Sequence, residues 1–147
     1  MKKDYDLVET GKRAGNFRIF LQALETAGLD DTLKETGPYT VLAPVDDAFV
    51  KLSRDELENL FRTDNRPSLR AMLMNLIIPE KLFSADLKQR DEIRSVNGAE
   101  LRIESRGPGL WVNEAQVITP DREASNGVIQ GIDTVLMPRT QAVAAGN

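Results

Sequence analysis

Near residue 92 the spacing of apolar residues changes from the helical 3.6 to the strand period of 2, so helices come mainly first and strands mainly last. A chain ordered in this way builds a segregated α+β fold and not alternating α/β units. Upstream, Asn16 is placed to cap a helix whose apolar residues Phe17, Phe20, Leu21 and Leu24 share one face, with Gly28 as its stop. Leu7 and Val8 give a short apolar start before it. The run Tyr39 to Ala43, between Gly37-Pro38 and Pro44, predicts a strand. Ser53 with Glu56 is a capping box opening a helix that would bury Leu57, Leu60 and Phe61. Pro67 suits the first turn of the next helix, which carries Leu69, Met72, Leu73 and Leu76 on one face and ends before Pro79.

Downstream, Asn97-Gly98 signals a hairpin in which both residues tolerate positive φ. Ala99, Leu101 and Ile103 alternate with Glu100, Arg102 and Glu104, which gives one buried and one wet face. Gly107, Pro108 and Gly109 turn the chain into Leu110, Trp111 and Val112. Val117 and Ile118 predict a strand ended by Pro120. Val128, Ile129, Ile132, Val135 and Leu136 predict a strand pair, or one strand broken near Gly131, ending at Pro138. Residues 1–138 read as one domain, and 139–147 as a small, polar, flexible tail.

The 147 residues include no Cys and no His. That excludes disulfides, thiolate nucleophiles, cysteine-ligated zinc and every Ser-His or Cys-His dyad. A formal charge of −4 with intermixed signs gives no phosphate track, so no nucleic-acid partner is expected. Charges interrupt every apolar run well short of the roughly 20 residues a membrane-spanning helix needs, and no secretory leader is visible.

The carboxylate pairs Asp30-Asp31 and Asp46-Asp47 are the acid–base candidates, but adjacent residues rarely face one another, and each pair suits capping of the turn beside it. The oxygen-ligand spacing of a calcium loop is missing, and Gly107-Pro108-Gly109 lacks the following helix of a phosphate cradle. No cofactor and no metal are expected. Trp111, between Leu110 and Val112, reads as half-buried packing. Leu73 to Ile78 contains more apolar residues than one helix face can bury, so Met74, Ile77 and Ile78 include candidates for an exposed patch.

Thr40-Val-Leu-Ala-Pro-Val-Asp-Asp-Ala-Phe49 resembles the first signature stretch of the fasciclin (FAS1) domain, and Asn126-Gly-Val-Ile-Gln-Gly-Ile-Asp-Thr-Val-Leu-Met-Pro138 resembles the second. The resemblance implies a wedge of antiparallel β-sheets with helices from the N-terminal half packed along it. It implies a non-catalytic module of cell adhesion or protein interaction, found extracellularly, on the cell surface or in the periplasm. The partner would be a cell-surface or extracellular-matrix protein.

The chain departs from the family pattern at four places. The Tyr-His pair of many adhesive relatives is replaced by Asn75 and Leu76, and the Asp-Ile dipeptide before the second signature by Asp121 and Arg122. Gln130 stands where relatives often carry His, and Gly131 where a larger apolar residue is usual. The positions carried over as partner-binding are Asn75, Leu76, Ile77, Ile78, Asp121 and Arg122. Asp121→Ala is expected to weaken binding with little loss of stability. The readings from other classes are a carboxylate-based glycan-active enzyme and a small-ligand carrier.

Overall fold

A computed structural model describes residues 6–34, 37–62, 66–113 and 115–135, the side chain of Leu60 excepted. Residue Leu136, Pro138 and the expected tail 139–147 lie outside the described residues. The helices are α1 (Leu7–Ala14), α2 (Arg18–Ala27), α3 (Asp46–Val50), α4 (Arg54–Leu60), α5 (Arg66–Met74) and α6 (Ser84–Leu87), with a 3-10 turn at Thr32–Lys34. The strands are β1 (Tyr39–Pro44), β2 (Ile77–Ile78), β3 (Glu92–Arg94), β4 (Glu100–Arg106), β5 (Gly109–Val112), β6 (Ala115–Ala124) and β7 (Gly127–Ile132).

Local rules explain several of these elements. The Asp6 carboxylate accepts from Glu9 N–H and starts α1, and Gly15 in the left-handed region stops it. The Ser53 capping box forms both bonds, Glu56 N–H to Ser53 Oγ at 3.1 Å and Ser53 N–H to Glu56 Oε1 at 2.9 Å. Behind it Leu57 and Phe61 are only half-buried.

The strands form one seven-stranded sheet in the order β2-β1-β7-β6-β5-β4-β3. The resemblance implies antiparallel sheets, and most pairs are antiparallel, but β1 and β7 run parallel from Tyr39↔Gly127 to Pro44↔Ile132. A Cβ at Gly127 would collide with the Tyr39 carbonyl, so this glycine serves close strand approach and not the turn before it. Asn126 carries the long-range links at that turn. Its amide donates to Leu33 O at 2.6 Å, its side-chain oxygen accepts from Leu7 N–H at 3.0 Å, and its carbonyl accepts from Tyr39 N–H at 3.1 Å.

Alternation along β1 and β7 creates two unlike faces. Val41, Ala43 and Ile129 line an apolar cavity of about 10 Å³ with Leu7, Phe20 and Leu24 of α1 and α2. Phe17 lies close to Gly131, where a Cβ would meet its ring at 3.1 Å. The other face carries Thr40, Leu42, Val128 and Gln130, all fully buried.

Several expectations are corrected. Leu7 and Val8 belong to a full helix. Asn16 does not cap α2: the first-turn N–H of Ile19 donates instead to Asp46 Oδ1 at 2.9 Å, and Asp46 N–H to Asn16 O at 2.9 Å. Asp46 therefore caps a helix distant in sequence, whereas its own helix begins at Val45 with no side-chain cap. The Asn97-Gly98 hairpin has the predicted place, but only Gly98 takes positive φ and Ser95 N–H closes on Ala99 O around a three-residue loop. Pro120 does not end β6, which runs on to Ala124 through two register shifts. Gly131 does not break β7, and Val135 lies beyond the strand.

Candidate functional site

The residues that set the site sit at the second shift of β6, between Thr119 and Arg122. Among the described residues β6 pairs with β5 only through Ala115 and Gln116, so from Val117 onward its side away from β7 has no described strand beside it. Pro120, which has no N–H to offer a ladder, is tolerated on such an edge. Asp121 follows with φ of +59°, a left-handed conformation uncommon outside glycine, which Asp and Asn adopt more readily than other side chains. Pro120, Asp121 and Arg122 are exposed.

A buried amide holds this bulge. Gln130, 0% exposed, accepts from Asp121 N–H at 3.1 Å and donates through Nε2 to Asp121 Oδ1 at 2.9 Å and Leu82 O at 3.0 Å. The amide orientation follows from chemistry, since only its oxygen can receive the Asp121 N–H. The Asp121 carboxylate also accepts from Ser84 N–H and Ser84 Oγ, both at 2.7 Å. Burial works against its charge, but the hydrogen bonds from the Ser84 hydroxyl, the Gln130 amide and the Ser84 N–H, with Lys88 nearby, outweigh it and hold the carboxyl below its ordinary range.

Thr40 completes the clasp on the segment 80–84. Its hydroxyl donates to Glu80 O at 2.5 Å and accepts from Leu82 N–H at 2.7 Å. On the surface, Arg90 grips Glu80 through two contacts of 2.7 and 3.1 Å, and Lys81 pairs with Glu123 at 2.9 Å. The segment leading into α6 is thus tied to β1, β6 and β7 at once.

Of the six positions expected to bind a partner, three are removed from the surface. Leu76, Ile77 and Ile78 are at most 1% exposed. Ile77 and Ile78 form β2 against Val41 and Thr40, and Leu76 O accepts from Leu42 N–H at 2.8 Å, so the apolar excess of this stretch is absorbed by a short, buried strand at the β1 end of the sheet. Asn75 is half-buried in the turn after α5. Among the described residues no hydrogen bond links it to the Asp121 bulge. Arg122 is exposed, while Asp121 has both oxygens engaged within the chain, so its replacement by Ala is expected to cost stability as well. Gln130, which fixes the whole arrangement, stood out in the sequence only as a departure from the family pattern.

The other candidates resolve locally. Trp111 is half-buried, its ring against Gly109 and the Arg106 guanidinium 5.0 Å from its centroid. Asp46 is engaged as a helix cap. Among the described residues no three acidic side chains gather as a metal-ligating group, and no helix is long and apolar enough to cross a membrane. The cavity beneath α1 holds about one water-sized volume and is apolar, so its present walls leave no room for an organic ligand.

Comparison with known proteins agrees with this architecture. The fasciclin domain model matches residues 15–138, and the chain belongs to the fasciclin-domain family. It is 35% identical over 132 residues to protein sll1483 of Synechocystis, covering 90% of this chain and 73% of that one. It is 33% identical over 127 residues to the transforming growth factor-beta-induced protein ig-h3 of Sus scrofa, covering 86% of this chain but 18% of that one. A solved FAS1 domain pair from the insect cell adhesion molecule fasciclin I superposes with a TM-score of 0.81 at 17% identity, over 92% of this chain and 52% of that one. The fold is therefore that of a FAS1 domain.

Proposed function

We propose that this chain is a non-catalytic adhesion or protein-interaction module that works outside the cytoplasm, at the cell surface, in the matrix or in the periplasm. It binds a protein partner through the Pro120–Arg122 bulge. The observation that carries the reading is a bulge with positive φ at a non-glycine residue, presented on an open strand edge and fixed from beneath by a fully bonded buried amide. A loop already ordered gives up little conformational entropy on binding. The adhesion molecule named among its structural relatives supports the class of function. Arg122 is the side chain best placed to meet an acidic partner, since it is exposed and Asp121 is committed to the fold. Asn75 remains a secondary contact position in this reading.

The test is adhesion of protein-coated beads to immobilised cell-surface and matrix proteins. Wild type is set beside Arg122→Glu, Asp121→Ala and a denatured control. Saturable, fold-dependent capture is expected, with Arg122→Glu weakening it about tenfold or more at an unchanged melting temperature. Asp121→Ala should weaken capture and lower the melting temperature together. Capture no greater than the denatured control, or indifferent to Arg122→Glu, rejects this surface.

A further inference from the structure

The sheet has a second open edge, at β3. In the β3–β4 ladder Glu92 pairs with Arg102, Ile93 with Leu101 and Arg94 with Glu100. Ile103 N–H donates to Asp91 O and Ser95 N–H to Ala99 O, both at 2.8 Å. The alternation of an antiparallel ladder then turns the backbone groups of Asp91, Ile93 and Ser95 toward β4, and those of Glu92 and Arg94 outward. Among the described residues no backbone hydrogen bond from another element reaches Glu92 or Arg94, whereas Val96 N–H, two residues on, donates to Ile77 O at 2.8 Å and closes only that end. Both side chains are exposed on the wet face, with Arg94 paired to Glu100 at 2.8 Å, and Ile93 between them is buried.

We propose that this edge docks a second copy of the same chain, β3 against β3, antiparallel about a two-fold axis at Ile93. The pattern of acid, apolar residue and base is self-complementary in that arrangement. Glu92 lies opposite Arg94 of the partner subunit, and Arg94 opposite Glu92 of the partner subunit. Their outward N–H and C=O groups fall at the hydrogen-bonded positions of the new ladder, and Ile93 at the non-hydrogen-bonded one. Charge then alternates across four strands in the order Glu100, Arg94, the partner's Glu92, the partner's Arg102. Edge strands with charges of one sign repel a copy of themselves, whereas this edge carries one of each in the order a two-fold axis matches. The contact is short, which places it among weak associations sensitive to salt. It is separate from the Asp121 bulge.

Sedimentation velocity of the whole chain tests this, at low and high salt and up to about 1 mM protein. Wild type is expected to dimerise reversibly and less tightly at high salt. Glu92→Arg and Arg94→Glu alone should each weaken self-association about tenfold or more, because each places like charges opposite one another twice. An equimolar mixture of the two variants should restore association, since the edge of one then matches the edge of the other. Glu92→Pro removes an outward N–H without touching the β4 ladder and should abolish the dimer while a cooperative melt persists. A wild type monomeric throughout, single variants that associate like wild type, or a mixture that fails to recover overturns the proposal.

Discussion

On one side of the β1–β7 pair, Val41, Ala43 and Ile129 share an apolar cavity with residues of α1 and α2, while Phe17 lies against Gly131. On the other side, Thr40 and Gln130 from the same two strands reach out through five hydrogen bonds to Glu80, Leu82 and Asp121. The first side is held by volume and burial, which act in every direction and degrade by degrees. The second is held by directed bonds in a buried setting, where losing one partner leaves others stranded. The helix side therefore holds the domain together, and the polar side decides where one surface bulge points.

The largest effect is expected from Phe17→Ala, which removes a fully buried ring beside an existing cavity and should cost about 3–5 kcal/mol in denaturant unfolding. A loss under about 1 kcal/mol would mean that the helix side collapses readily and the contrast is false. Gln130→Leu keeps much of the volume but strands Leu82 O and Asp121, for about 1–3 kcal/mol. It should also accelerate amide exchange in residues 80–87 more than in α1 and α2; uniform acceleration would dissolve the distinction.

The smallest effect concerns acid. The Asp121 carboxyl titrates below its ordinary range, so its stabilisation is complete above the unfolded value near pH 4 and is lost as pH falls through the lower folded value. Thermal melts of Asp121→Asn between about pH 6 and pH 2.5 should show a shallower acid decline than wild type. Equal slopes would show that the carboxylate charge does not hold the bulge.

What the sequence disclosed follows from the range over which each interaction acts. The Ser53 capping box and the stop at Gly28 involve residues within one turn, and both are present as expected. The role of Asp46 is hidden from local rules because its partner, Ile19 N–H, lies in a different helix. The Leu76 to Ile78 stretch carried an apolar surplus for one helix face, and the surplus is spent on a two-residue strand whose only signal is its pairing with β1. Pro120 terminates strands in general, but here an unpaired side and a register shift accommodate it. The role of Gln130 depends on Leu82 and Asp121 approaching from separate parts of the chain, so a single buried amide gave no local sign of it.

The parallel pairing of β1 with β7 also bears on how the chain is made. β7 is the last in sequence of the described strands, yet it lies between β1 and β6, and Tyr39 must wait for Gly127. At typical synthesis rates that interval is on the order of ten seconds. Through it, Val41, Leu42 and Ala43 have emerged from the ribosome without the neighbour that covers them, leaving an apolar strand edge open to chaperones or to other nascent chains. Closure of so distant a pair also raises the contact order, so the domain completes its sheet in a late, slow step and not as each hairpin appears.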